Sequence, residues 1–412
     1  MFKRLLYPMV VLVIGGGLLW WTLTSPFWQT VQRVAGVMRL LHEEYVDPDR
    51  ADYEELGEAA IRGMVGSLDP YSVYLSPRDF SDFELQSQQQ YIGIGVEIER
   101  LQERVTLVTV LPGGPAEKAG LLAGDRILEV DGTDVREAGV GRVSDLLRGE
   151  EGVPVRIEVE RPSISETLTV GLERGEVRLS TVRGVSLSPD EIGYLRIAQF
   201  GEKTPEEFAE AVERLREGGM QGLVVDLRDN PGGLLRTAKA VAGFYLEPGE
   251  EVVRLRGRDL GGEQVYRASG RLGNHSYPIA VLLNESSASG AEIVAGVWQD
   301  TGTARLVGET SHGKGSVQSV YGLGDGSGLR QTTARYYLPS GRSIDKVGVE
   351  PDILVEESME AHQRRLLQRR HRPLMDAETF TEAFGFPPDQ TDAQLRAARR
   401  WLREELNLPR PG

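Results

Sequence analysis

The 412-residue chain has no cysteine. That excludes disulfides, thiolate zinc sites, a cysteine nucleophile and a lipoprotein anchor. Histidine is scarce, with five in all. Only His312, beside Gly313-Lys314, sits near other candidate chemistry. Basic charge is in deficit: 47 Lys and Arg against 62 Asp and Glu leave a net −15. This argues against nucleic acid as a partner, because phosphate binding needs a basic surface. Internal repeats and low-complexity tracts are missing too. What remains is an ordinary globular composition, 40% hydrophobic and 26% charged, on a chain long enough for two or three domains.

One apolar run stands out. Lys3 and Arg4 precede an uncharged stretch from Leu5 to Thr24, which at ~1.5 Å per residue can cross ~30 Å of hydrocarbon. Trp20 and Trp21 sit where interfacial aromatics belong, and no charge follows until Arg33. The charge bias predicts an inside N-terminus and an extracytoplasmic body. No A-x-A-like cleavage site follows the run, only Ser25-Pro26-Phe27. The expectation is an uncleaved single-pass anchor, residues 1–27, in the cytoplasmic membrane with a periplasmic body.

Helical spacing of Val31, Val34, Val37, Met38 and Leu41, then of Leu56, Ala60, Ile61 and Met64, marks 28–86 as a helical region. From Tyr91 the period changes to two. Strands near Ile92–Ile98, Val105–Val110, Ile127–Val130 and Val155–Val159, with short helices at 114–120 and 143–147, predict a compact module over 87–172. Residues 173–355 alternate strands and helices, including the continuous apolar runs Leu223–Leu227 and Ile279–Leu283; this predicts an α/β core with both sheet faces covered. The arginine-rich tail, 356–412, is helical in pattern, notably over Ala393–Leu406.

The segment Asn284-Glu285-Ser286-Ser287-Ala288-Ser289-Gly290 joins a strand to a helix. A serine at a helix N-terminus sees backbone N–H groups and the positive dipole end, both suited to an acyl oxyanion, although serines there also serve as ordinary caps. A serine nucleophile needs a base. Lys314 lies between Gly313 and Gly315, and a lysine can act as base only where burial brings its pKa down from ~10.4. Asp226-Leu227-Arg228-Asp229-Asn230-Pro231-Gly232-Gly233 ends a strand in a turn that could present a backbone donor at the sheet's carboxyl edge.

Taken together these segments resemble the C-terminal processing peptidases, the serine peptidase family (S41) that carries a PDZ domain. The likeness is ordered and covers roughly 35–355. It runs through Tyr45-Val46-Asp47, Leu68-Asp69-Pro70-Tyr71-Ser72, Tyr91-Ile92-Gly93-Ile94-Gly95-Val96, Gly114-Pro115-Ala116 with Gly124-Asp125, and Arg148–Gly152. It continues through Asp226–Gly233, Ser287-Ala288-Ser289, Gly313-Lys314-Gly315 with Gln318, and Tyr337–Arg342. The resemblance implies a ClpP/crotonase-like α/β core with an inserted PDZ domain and helical ends. It assigns Ser289 as nucleophile, Lys314 as general base and Gln318 as the residue that orients the lysine. Gly232 or Gly233, with Gly290, would form the oxyanion hole. If 314–320 were a strand, Lys314 and Gln318 would share a face. Gly93, Ile94 and Gly95 would capture a substrate's C-terminal carboxylate, and Arg148 would link the PDZ domain to the active site.

The implied function is endoproteolysis of extracytoplasmic proteins with apolar C-termini through an acyl-enzyme, without metal or cofactor. A homo-oligomer or an adaptor are possible further partners. Three other readings compete. Ser311-His312-Gly313-Lys314 spells the S-x-x-K of penicillin-binding proteins, but its glycines disfavour the helix that motif needs. A non-catalytic PDZ scaffold would not require Ser289, Lys314 and Gln318 together, and an acyl-CoA enzyme would have no use for a PDZ-like segment.

Overall fold

The computed structural model describes residues 25–408 apart from 89, 102, 112, 163, 165, 179, 259–260, 274–275, 372–376 and 388–391. The expected membrane segment therefore lies, up to residue 24, outside the described residues. Among the described residues no helix is long and apolar enough to cross a membrane.

The chain forms two compact units, Met1–Pro77 with Gln318–Thr332, and Arg78–Val317 with Thr333–Gly412. In the first, helices Pro26–Glu44 and Tyr53–Gly66 flank a single turn at Pro48–Arg50. Asp47-Pro48 ends the first helical pattern because proline cannot continue it. His42 stacks on Tyr53 and bonds the carbonyl of Ala51. Strand Val73–Leu75 pairs antiparallel with the start of strand Gly328–Tyr337, Val73 opposite Arg330. The sequence pattern offers no sign of so short a strand.

The second unit holds a six-stranded sheet made of β1 (Val182–Leu187), β2 (Ile192–Ile197), β3 (Gly222–Asp226), β4 (Ile279–Leu283), β5 (Arg305–Gly308) and β6 (Ile353–Leu354), adjacent in chain order. The β1–β2 pair is antiparallel and the others parallel. Parallel neighbours need crossovers; α1 (Thr204–Glu217), α2 (Leu235–Ala242) and α3 (Gly290–Asp300) supply helices for them. Helix α1 opens with Glu206 and Glu207 and closes with Arg214 and Arg216, each sign facing the complementary dipole end.

Alternation decides which strand residue meets what. Leu223, Val225, Val281 and Leu306 pack with Phe208, Val212, Val241 and Ile293 of the three helices. Val224, Ala280, Leu282 and Val307 point the other way and meet Ala398 and Leu402. Those two belong to α5 (Ala393–Glu405), which follows α4 (Met359–His371) and the helix Ala377–Phe384. The tail thus completes the core, and β3 and β4 read as unbroken apolar runs because both faces are covered.

In the PDZ-like module six antiparallel strands, Val96–Leu101, Arg104–Val110, Arg126–Val130, the short Thr133–Asp134, Pro154–Arg161 and Glu166–Glu173, enclose a separate core around Val105, Leu107, Ile127, Val143 and Ile157. Buried Asp125 holds Arg161 through both oxygens and accepts from the N–H of Leu122. Strand Gln90–Gly93 pairs with Gly175–Arg178, which carries the module past residue 172.

Candidate active site

The two strand ends singled out by their sequences are stitched together. β3 runs into Leu227–Gly233 and β4 into Asn284–Ser289. The side chain of Asn284 accepts from the N–H of Asp229 at 2.9 Å and donates to its carboxylate at 2.7 Å. Ser287 is fully buried, and its hydroxyl donates to the carbonyl of Leu227 at 2.9 Å. The N–H of Ala288 donates to the carbonyl of Asn230, also at 2.9 Å. Of the three serines, Ser287 is thereby structural and Ser286 lies exposed, while Ser289 caps α3 half-buried.

Ser289 has φ 53° and ψ −110°, a conformation that costs a non-glycine residue about 1–3 kcal/mol and persists only where surroundings over-determine it. Here they do. The peptide N–H of Ser289 donates to Glu292 Oε2 at 2.7 Å. The hydroxyl of Tyr336 reaches the Ser289 carbonyl at 3.3 Å and also donates to the carbonyl of Lys314.

Glu292 is the centre of this arrangement. It is wholly buried. Oε2 accepts from the N–H of Lys314 at 2.9 Å as well as from that of Ser289, while Oε1 accepts from the Ser311 hydroxyl and the N–H of Gly313 at 2.6 Å. One carboxylate therefore fixes the main chain of the candidate nucleophile and of the candidate base. Sequence inspection missed it. The available signal was the spacing Ser289-x-x-Glu292, a capping box, which explains only the contact to Ser289.

The glycine turn is equally constrained. Gly232 has φ +98°, and a Cβ there would stand 2.7 Å from Ser289 Cβ and 2.9 Å from the nitrogen of Gly290. Its own N–H donates to Asn230 Oδ1 at 2.8 Å, so it is already engaged. Asn230 is held in turn by its amide donating to the carbonyl of Ile197. Gly233, at φ +138°, sits so close to Phe200 that a Cβ would fall 2.1 Å from that residue's carbonyl oxygen.

Residues 311–315 form no helix, in line with the expectation from their glycines, and His312 is exposed. The strand begins only at Ser316, two residues past Lys314. The even-spacing argument for a shared face of Lys314 and Gln318 therefore does not apply, because Lys314 lies in irregular chain held by Glu292. Gln318 is on the strand, where its Nε2 donates to Thr332 Oγ1 at 3.3 Å.

Behind the turn lies a buried ion network. Arg228 pairs with Asp226 and Asp392, and Arg369 with Asp226 and Asp229. Arg365 joins Asp229 and Glu357. Burial works to raise the Asp229 carboxyl, but Arg365, Asn284 and Arg369 outweigh it and hold it at about 2. For Asp226 burial is likewise outweighed, by Arg228 and Arg369, and the carboxyl lies far below the usual range. The tail arginines thus pair with the strand end that carries the glycine turn.

In the PDZ-like module Gly93, Ile94, Gly95 and Arg148 line one cavity of about 160 Å³, with Ile98, Leu111 and Leu147 making its wall apolar. Buried Arg174, not noticed in the sequence, bonds the carbonyls of Leu146, Leu147 and Pro154 and so fixes the end of helix Val140–Leu147 beside Arg148. Among the described residues no cluster of side chains could hold a metal.

Comparison with known proteins agrees with this organisation. Residues 191–355 match the model of peptidase family S41, 106–161 a PDZ domain, and 22–78 the N-terminal domain of the activating protease CtpB. A carboxy-terminal-processing protease of Bartonella bacilliformis is 36% identical over 86% of this chain and 84% of its own. The carboxy-terminal processing protease CtpB of Bacillus subtilis is 31% identical over 80% of this chain and 68% of its own. An S41 protease structure from Bacteroides fragilis, 18% identical, covers 91% of this chain and 97% of its own with a TM-score of 0.52, which supports the fold. The chain belongs to the carboxy-terminal processing proteases, the PDZ-containing serine peptidases of family S41.

Proposed function

We propose that the protein is an endopeptidase in which Ser289 is the nucleophile and Lys314 the general base, acting on proteins whose apolar C-termini are held in the PDZ cavity. The observation that carries the reading is the shared grip of Glu292 on the N–H groups of Ser289 and Lys314. The two side chains can act together only if their backbones are held in one place, and this buried acid holds both.

Neutral Lys314 takes the Ser289 hydroxyl proton as the oxygen adds to the scissile carbonyl. The oxyanion lies against the N–H groups of Gly233 and Gly290, since that of Gly232 is engaged with Asn230. The lysine returns the proton to the leaving amine, and the acyl-enzyme is then hydrolysed by a water that Lys314 activates. Gln318 orients the lysine, and Arg148, lining the cavity that takes the C-terminus, couples occupancy to activity. The run Leu5–Thr24 anchors the enzyme with its body outside the cytoplasmic membrane.

The test is hydrolysis of an unfolded protein by the full-length chain. Ser289→Ala and Lys314→Arg should both be inactive, the second because arginine stays protonated. Activity retained by Ser289→Ala would overturn the assignment.

A further inference from the structure

Asp69, from Leu68-Asp69-Pro70-Tyr71-Ser72, lies 249 residues before Gln318 in the chain yet connects to it by hydrogen bonds. Asp69 Oδ1 accepts from the N–H groups of Tyr71 and Ser72 at 2.8 and 2.9 Å and from the Thr332 hydroxyl at 3.2 Å. Oδ2 accepts from the Ser72 hydroxyl at 2.8 Å. The Ser72 oxygen accepts in turn from the N–H of Thr332 at 3.1 Å, so Thr332 is held at both its backbone and its side chain. Burial works to raise the Asp69 carboxyl, but these donors outweigh it and keep it below its ordinary value, ionised.

An ionised carboxylate can only accept. The Thr332 hydroxyl must therefore give its single proton to Asp69, and its oxygen is left to accept. The side chain facing it, Gln318, satisfies that oxygen only by presenting Nε2, as it does at 3.3 Å. The amide is thereby set in one of its two orientations, with Oε1 as the end that accepts.

We propose that Asp69 and Thr332 are positioning residues that set the Gln318 amide through a one-way chain of hydrogen bonds. This rests on the Ser289–Lys314 reading, in which an orienting glutamine must offer an acceptor to a lysine that has only donors. Without the chain Nε2 loses the acceptor that sets this orientation, and the flipped amide puts an NH₂ group where the oxygen is required.

Steady-state hydrolysis of a peptide by the full-length protein, with thermal unfolding alongside, tests this. Asp69→Asn and Thr332→Val should each lower kcat about tenfold, as expected for losing about one hydrogen bond's worth of orientation, with KM within about twofold. Thr332→Ser should recover most of what Thr332→Val loses. On a Gln318→Ala background, Asp69→Asn should cost less than about twofold more, because residues acting through one another are not additive.

A full tenfold loss on that background would mean that Asp69 acts by another route and would overturn the proposal. So would full kcat in Thr332→Val or in Gln318→Ala; either result would leave the Ser289–Lys314 pair standing. Activity in Ser289→Ala would instead bring down the dyad, and the relay with it. If Asp69→Asn fails to fold, the Thr332 Val and Ser pair decides the matter alone.

Discussion

The N–H of Ser289 and the N–H of Lys314 end on the same oxygen, Oε2 of Glu292, at 2.7 and 2.9 Å. Their carbonyls share a partner as well, the hydroxyl of Tyr336. Two residues 25 apart in sequence are thus fixed as peptide units before either side chain does anything.

Glu292→Gln should show what this fixation is worth. The amide has one oxygen and one NH₂ group to set against four donors, so at least one buried group goes unsatisfied, at about 1–3 kcal/mol. A lower unfolding temperature and a fall in kcat of about 10- to 100-fold are expected, with KM little changed. Wild-type kcat in this variant would show that the shared carboxylate is incidental.

Gly232→Ala combines a left-handed backbone with a Cβ 2.7 Å from that of Ser289. Gly219 has a similar φ, +91°, with nothing within 4 Å of an added Cβ, and so serves as the control for backbone strain alone. Gly219→Ala should cost about 1–2 kcal/mol of stability and leave kcat near that of the wild type. Gly232→Ala should lose at least about 100-fold in kcat, since misplacing a reacting group by an ångström costs that much.

Acid should loosen the ion network behind the turn. Asp226 and Asp229 have folded-state values depressed below the ~3.9 of an unfolded aspartate. Their contribution is complete above that value and lost as pH falls through the folded one, about 2 for Asp229 and lower for Asp226. The urea midpoint should therefore drop between about pH 5 and pH 2. Asp229→Asn, less stable at neutral pH, should show a shallower drop; an unchanged slope would remove Asp229 from the account.

Carboxylate capture in the PDZ cavity predicts a dependence on the ligand's free end. A fluorescent peptide ending in leucine should bind at least about tenfold more tightly than its C-terminal amide, by anisotropy with Ser289→Ala protein. That difference corresponds to about 1.4 kcal/mol, close to the lower end of the range for a hydrogen bond to a charged group. Equal binding would leave the Gly93–Gly95 loop without a carboxylate role.

Legibility in the sequence followed the range of the interactions. Helices and strands announce themselves by local period and turn residues, whereas Ser289, Lys314 and the Gly93-Ile94-Gly95 loop stand out only through the ordered resemblance of many segments. The residues that hold them do not. Glu292 looks like a helix cap because its partners Ser311, Gly313 and Lys314 come 19 to 22 residues later. Thr332 is one polar residue in a strand, and only a strand pairing set by the fold brings it to Asp69. The condition that 314–320 be a strand fails at its start, which is Ser316, because glycines on both sides of Lys314 erase the period that would have shown the boundary. The tail's arginines gave no hint of partners more than 130 residues upstream.

Helix α5 supplies Ala398 and Leu402 to one face of the central sheet. For a chain made from its N-terminus, this sets an order of events. Ser289, Lys314 and Tyr336 are all synthesised while that face of the sheet is still bare. The core closes only when the final helix arrives. The last helix is therefore a wall of the core, and a stop before it would leave Val224, Ala280, Leu282 and Val307 uncovered.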